Sequence, residues 1–224
     1  PFENHDLRLR AFYKNIFRMP TFNDLYYTAI GKRSLKPEDT DQFNLGATYS
    51  ISFGTIVPLL TFTADGFRNN VKNKIVAYPV KNVFEWSMMN YGKVEISGLD
   101  LSLETIVRFS EKIGLLAGSN FTYQKALNMT DPESSAYKNQ LPYTPRHSGT
   151  AHATLQTTLL DFSYSLLWSG IQYAGAQNVK QNEVSGYTDH SISISKEKKI
   201  GFGNMRLSVE VLNLGNKNYE IVRN

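Results

Sequence analysis

Apolar and polar side chains alternate at every second position in segment after segment of this chain, and no convincing helical periodicity interrupts them. In residues 151–159, Ala151, Ala153, Leu155 and Leu159 fall on one side and His152, Thr154, Gln156 and Thr158 on the other. Residues 162–168 restart the pattern after a tight turn at Leu160 and Asp161, and residues 191–195 and 206–211 repeat it. A two-residue period sends successive side chains to opposite faces of a sheet. The second face here is mostly Ser, Thr, Gln, Ala and Tyr. A fully solvated face would be richer in Lys and Glu. An apolar outside around a polar inside is the pattern of a closed membrane barrel. Such a barrel is a pore or transporter rather than a metabolic enzyme. A soluble antiparallel sandwich is the alternative that patterning alone leaves open.

The rest of the composition narrows the classes. The 224 residues suffice for one large domain or two small ones, and 41% hydrophobic residues argue against disorder. With no cysteine, disulfides and Cys-ligated zinc are excluded. No run of eighteen apolar residues occurs, so a spanning helix is not expected, whereas a barrel strand needs only about ten residues, half of them apolar. The formal net charge of +4 is scattered. Its densest part, Lys196, Lys198 and Lys199 beside Glu197, reads as a solvated hairpin end and is too sparse for a nucleic-acid stripe. The chain opens at Pro1 with no targeting segment and stops at Asn224 without a closing element, so it is expected to be an interior piece of something longer.

Strands are expected at residues 6–13, 43–53, 56–65, 71–78, 93–108, 113–124, 149–159, 162–173, 187–196, 205–212 and 219–222, about eleven in all, with residues 83–89 preceding the signal at 90–92. Residues 21–27 fit one helical turn capped by Thr21 or Asn23, or an irregular loop. Gly54 marks a hairpin turn, and Pro58 a bulge or a strand start. Asp65 with Gly66, Asn69 with Asn70, and residues 90–92 read as turns. A phase slip at Gly98 predicts a bulge. Residues 128–145 and 174–186 read as long polar loops, in contrast to the short turns near Asp161 and Gly201. Trp86 and Trp168 are expected at lipid-facing girdle positions.

Five segments, in order, carry a likeness. FRMPTFNDLYY at 17–27 resembles a hallmark of TonB-dependent outer-membrane receptors, in the form found in Bacteroidales. Gly31 with SLKPE at 34–38 resembles the box that opens a barrel strand. NYGKVEISGLD at 90–100 resembles a Gly-x-Glu strand, with Asp100 where the family has Glu. LPYTPRH at 141–147 and VEVLNLGNKNY at 209–219 resemble a loop-to-strand segment and the penultimate strand. The resemblance implies an all-β fold, the C-terminal portion (about eleven strands) of a 22-stranded antiparallel transmembrane β-barrel across residues 1–224, with the plug and final strand outside it. It also implies active import across the outer membrane of Gram-negative cells. The expected partners are the plug and N-terminal barrel half, the TonB complex, outer-membrane lipid and, for some branches, a surface lipoprotein; no nucleic acid is expected. The overall likeness is to the ferric-siderophore and cobalamin branch. A haem ligand histidine is absent between residues 20 and 34, which lowers haem import; glycan or peptide import, or a passive porin, are the other readings.

Six residues are singled out for ligand contact. Arg18 can bind an anionic ligand or pair with carboxylates of the wall. Tyr26 and Tyr27 can stack on a ligand or simply pack. Tyr137, Tyr143 and Tyr173 sit on or beside the long loops, where such barrels grip. His5, His147, His152 and His190 have no ligand spacing, and Asp24 with Glu38 is a weak calcium candidate. No resident cofactor is expected. No nucleophile elbow or phosphate loop is present, so an enzyme is not expected.

Overall fold

A computed structural model describes residues 4–28, 30–79, 86–201 and 203–223. Nine strands form one antiparallel sheet in the order β1-β2-β3-β4-β5-β6-β7-β10-β11, so each strand lies beside its sequence neighbour except where a small ribbon intervenes. The strands are β1 (His5–Arg18), β2 (Glu38–Phe53), β3 (Val57–Pro79), β4 (Trp86–Ser110), β5 (Ile113–Asn128), β6 (His147–Gln156), β7 (Asp161–Ser169), β8 (Gln172–Tyr173), β9 (Glu183–Val184), β10 (Tyr187–Ile200) and β11 (Gly203–Val211). β8 and β9 form a ribbon inside the loop between β7 and β10, so among the described residues there are eleven strands, nine of which build the wall.

The register confirms the two-faced pattern. On one face, Tyr49 lies opposite Leu7 and Phe62, and Leu101 opposite Ala64 and Phe121. Ala153 opposite Tyr164, and Ile194 opposite Phe162 and Val209, continue it. Phe43 to Ile51 on β2 carries this apolar face for the roughly nine residues that a tilted strand needs to cross a bilayer. The other face is hydroxyl-rich: Thr48 bonds Thr63 at 3.1 Å, Ser50 bonds Thr61 at 3.0 Å, and Thr154 bonds Ser163 at 2.9 Å. Arg10 grips Asp65 with contacts of 2.9 and 2.7 Å. The link passes over Gly46, where a Cβ would lie 2.0 Å from the Asp65 carboxylate. Polar groups paired within the wall are what a water-accessible lumen face requires.

The connections divide by end. The β2–β3, β4–β5, β6–β7 and β10–β11 connections are short and share one end, and the β1–β2, β5–β6 and β7–β10 connections are long and share the other. Gly54, at φ 72°, takes the left-handed conformation its turn needs. In outer-membrane barrels short turns face the periplasm and long loops the exterior.

Several expectations are corrected. β3 and β4 are 23 and 25 residues long and run straight through the turns expected at residues 65–66, 69–70 and 90–92. Ladders on both sides of residues 65–70, and the ladder with β3 at Asn90 and Tyr91, override the local turn preference of Asp, Asn and Gly. No bulge occurs at Gly98, where the register with β3 and β5 is unbroken. Gly98 instead provides clearance: a Cβ there would lie 2.3 Å from the Tyr123 carbonyl and 2.6 Å from the Phe67 ring. Pro58 stands second in β3, at a strand start, and the adjacent register shifts between Ile51 and Phe53. Residues 219–222 form no strand; the Tyr219 side chain is held against β10 instead. Trp168 does lie on the apolar face, packed over Gly149 and stacked on Phe121 at 6.4 Å. Trp86 does not join it. β4 has passed beyond the apolar band by that point, and the indole packs on Tyr143 of a long loop at 5.6 Å.

The buried core lies at the long-loop end rather than within the membrane span. Val71, Tyr91, Val94, Ala126 and Leu141 form it, with Leu141 arriving from the loop after β5. Val94 and Val71 are direct partners and share the row of Ile96 and Asn69, which is the lumen-side row. The loop therefore folds inward over the mouth.

Candidate ligand vestibule

The first loop is built from Arg18. Its Nη1 donates to Glu38 at 2.8 Å and its Nη2 to Asp24 at 3.1 Å. Glu38 is only 4% exposed and also accepts the Ile75 amide at 2.7 Å and the Lys74 ammonium at 3.4 Å. Asp24 closes a capping box with Thr21, accepting the Thr21 amide at 2.9 Å while the Thr21 hydroxyl accepts the Asp24 amide at 3.2 Å. That box starts the short helix α1 (Phe22–Tyr26), the helical turn expected there, with Thr21 as the cap. Arg18 is thus an anchor of β1, β2 and the loop. Its guanidinium occupies the space between Asp24 and Glu38 where a calcium ion was conceivable.

The loop is then fastened to the far end of β4. Asn90 accepts the Lys36 amide at 2.8 Å and donates to the Lys36 and Asn73 carbonyls at 3.0 and 2.7 Å. The Met88 amide donates to the Ile30 carbonyl at 2.8 Å. Held this way, Met19, Phe22, Tyr26 and Tyr27 stay exposed, Phe22 at 74% and Tyr27 at 57%. The Phe22 and Tyr26 rings lie 4.9 Å apart, and the Arg33 guanidinium sits 5.3 Å from the Tyr26 ring. The result is an aromatic patch with a cation at its margin, on a tethered loop.

The other loops form one block. Buried Gln140 accepts the Ala126 amide at 3.2 Å and donates to the Thr144 carbonyl at 3.0 Å. It also trades bonds with Asn178: its own amide donates at 2.7 Å, and its carbonyl accepts at 3.1 Å. Gln172 donates to the Ile221 carbonyl at 2.9 Å, and Arg223 to the Gln181 and Glu183 carbonyls at 2.6 and 2.7 Å. Residues 129–146, 170–186 and the segment after β11 are therefore tied together.

Within this block the remaining tyrosines take different places. Tyr143 has φ 53°, and its amide donates to the Tyr173 carbonyl at 2.8 Å, so the structure joins these two. Its ring packs on Trp86, and burial pushes its hydroxyl pKa up. Tyr173 belongs to the β8–β9 ribbon, and the Lys138 ammonium lies 5.3 Å from the Tyr137 ring. Sequence reasoning missed Phe22, Arg33, Gln140, Asp189 and Tyr219 as parts of the mouth. Only the Thr21–Asp24 spacing gave a local signal for the first of these. Tyr219 stacks on Tyr187 with centroids 4.3 Å apart and planes 3° apart, and donates its hydroxyl to Asp189 at 2.5 Å. That bond, with burial, raises the Tyr219 pKa above its ordinary value. Native Tyr219 therefore favours its protonated form, and the bond is complete at neutral pH and lost only as pH climbs past the ordinary tyrosine range near ~10. In an alkaline absorbance titration the difference between wild type and Tyr219→Phe is expected to appear on the high side of the bulk tyrosine transition; a difference on the low side would contradict this bond.

A two-faced antiparallel wall with short turns at one end and inward-folded loops at the other defines an outer-membrane β-barrel segment. The family model described as TonB dependent receptor-like, beta-barrel, matches residues 2–214. The chain belongs to this family, which comprises outer-membrane receptors of Gram-negative cells rather than enzymes. It is 24% identical over 207 residues to the vitamin B12 transporter BtuB of Photobacterium profundum, covering 91% of this chain and 30% of that protein. Among solved structures it resembles the copper transporter OprC, with TM-score 0.68 and 18% identity, covering 96% of this chain and 32% of that one. It also resembles the ferric preacinetobactin receptor BauA from Acinetobacter baumannii, with TM-score 0.63 and 18% identity, covering 97% of this chain and 31% of that one. The chain thus spans about a third of the length of these relatives.

Proposed function

We propose that this chain is the C-terminal part of a 22-stranded TonB-dependent receptor that imports a scarce nutrient, a ferric siderophore or cobalamin, across the outer membrane. On this reading a plug and the remaining wall complete the barrel, and the TonB complex powers release. The observation that carries it is the exposed Met19, Phe22, Tyr26 and Tyr27 patch with Arg33, on a loop fastened to β4 at the long-loop end by Asn90. Aromatic faces beside a guanidinium suit a large, flat or anionic metal chelate. The names of the relatives, which include vitamin B12, copper and ferric-siderophore transport, support the nutrient class. The Bacteroidales form rests on residues 17–27 alone.

Tyr26 and Tyr27 are the contact residues on this reading, with Tyr137, Tyr143 and Tyr173 along the second loop block. Arg18 acts through the loop it anchors. In the full receptor, the Tyr26→Ala/Tyr27→Ala double variant is expected to weaken binding of the cognate ligand about tenfold or more, on the scale of aromatic stacking losses. Barrel assembly and outer-membrane level should be unchanged. Unaltered binding in a correctly assembled double variant removes these residues from the site.

A further inference from the structure

The lysine cluster at residues 196–199 is not used by the vestibule; it lies at the opposite end. Pairing of β7 with β10 stops at Ser195 opposite Asp161, whereas β10 and β11 stay paired to Ile200 opposite Gly203. The last turn of this hairpin therefore projects past its β7 neighbour at the short-turn end. Its two faces differ. Ile192, Ile194, Lys196 and Lys198 share one side of β10, and their partners Val211, Val209, Leu207 and Met205 share the same side of β11. This is the apolar membrane face continued outward, now with lysines set among apolar groups. Leu207 is 64% exposed and Met205 is 40% exposed. Glu197 and Arg206 are cross-strand register partners on the other side. Among the described residues no carboxylate forms an ion pair with Lys196 or Lys198; Lys196 donates only to the Thr158 carbonyl, which leaves N–H groups free.

We infer that the β10–β11 hairpin tip is a headgroup anchor for anionic phospholipid of the periplasmic leaflet. Lys196 and Lys198 bind the phosphates, and Leu207 and Met205 sit at the acyl boundary. Two observations select a lipid surface over other anions. The face is continuous with the lipid-facing wall, and each cation stands cross-strand from an exposed apolar side chain, Lys196 from Leu207 and Lys198 from Met205, as in interfacial segments whose lysine stems lie along apolar surface while the ammonium reaches the headgroups. The inference rests on the outer-membrane placement but not on the identity of the imported nutrient.

The test titrates the full receptor in neutral detergent with phosphatidylglycerol or phosphatidylcholine and counts bound lipid by native mass spectrometry. Wild type is expected to prefer phosphatidylglycerol. Since each basic residue near an anionic surface contributes roughly fivefold, K196Q/K198Q is expected to lower that affinity roughly twentyfold. K199Q, altered on the other face, and the charge-preserving K196R/K198R should bind as wild type. Equal binding of both lipids, or unchanged affinity in K196Q/K198Q, overturns the proposal. So does complete displacement by an equal concentration of inorganic phosphate, which would mean a free-phosphate site. Ligand binding at the mouth, measured in parallel, should not change in either double variant, so failure of the anchor and failure of the import reading are told apart.

Discussion

Glu38→Ala in the full receptor is expected to free residues 19–37 from the wall while the barrel still assembles. The carboxylate is the common acceptor for Arg18, Lys74 and the Ile75 amide, and it is buried. Removing one partner of a buried, hydrogen-bonded ion pair costs roughly 3 kcal/mol, the lower end of the range because the Arg18 side chain is 41% exposed. Amide hydrogen exchange is the readout. Ile75 and the Asp24–Thr21 box should lose protection by about a hundredfold, the exchange equivalent of that energy. Glu38→Gln, which retains an acceptor without the charge, should fall between. Protection equal to wild type in Glu38→Ala would mean that the Asn90 and Met88 tethers to β4 hold the loop without the carboxylate. Ligand affinity should fall with the loop, because the aromatic patch is carried on it.

The second large effect is steric. Gly98→Ala would place a methyl group 2.3 Å from the Tyr123 carbonyl, which is backbone of the adjacent strand and cannot swing away. Overpacking against fixed atoms costs roughly 1–3 kcal/mol and occasionally more, and here it falls in a wall that must stay paired in the bilayer. Loss of heat-resistant folded barrel on a gel shift is the expected result. Gly118→Ala is the control. Its methyl would meet the ends of the Glu104 and His152 side chains at 2.3 and 2.5 Å, and both can move into the lumen. That variant should assemble normally. Equal tolerance of both substitutions would contradict the clearance role given to Gly98.

The alternation that was plain in the sequence survived because it reports faces, and faces are set by a strict two-residue period whichever strand pairs with which. Residues 149–168 and 187–211 show this directly. Strand ends were less legible. Asp65, Gly66, Asn69 and Asn70 have turn chemistry, yet long-range ladders to β2 and β4 keep them extended, and Asp65 is needed to pair Arg10 across Gly46. Gly98 looked like a phase slip because a glycine interrupts the apolar side. Its reason, the close approach of Phe67 and the Tyr123 carbonyl, lies in neighbours far along the chain. Tyr26 and Tyr27 were singled out by their place in a recognised segment, and they remain exposed. Arg18 was singled out as well, but its partners Asp24 and Glu38 could only be matched to it once β1 and β2 were in register. The Tyr219–Asp189 bond, from the segment after β11 to β10, and the Gln140–Asn178 exchange between two loops span about thirty to forty residues and left no local trace.

The central claim is that the inward-folded loops form the mouth of a nutrient receptor. The most direct measurement is equilibrium binding to the full receptor in detergent, titrated separately with cobalamin, ferric siderophores of catecholate and hydroxamate type, and haem, each repeated with Tyr26→Ala/Tyr27→Ala. Tight, saturable binding of cobalamin or one siderophore class is expected, weakened about tenfold or more in the double variant. Failure of all of them to bind the intact receptor, or binding that is indifferent to the two tyrosines, would contradict it.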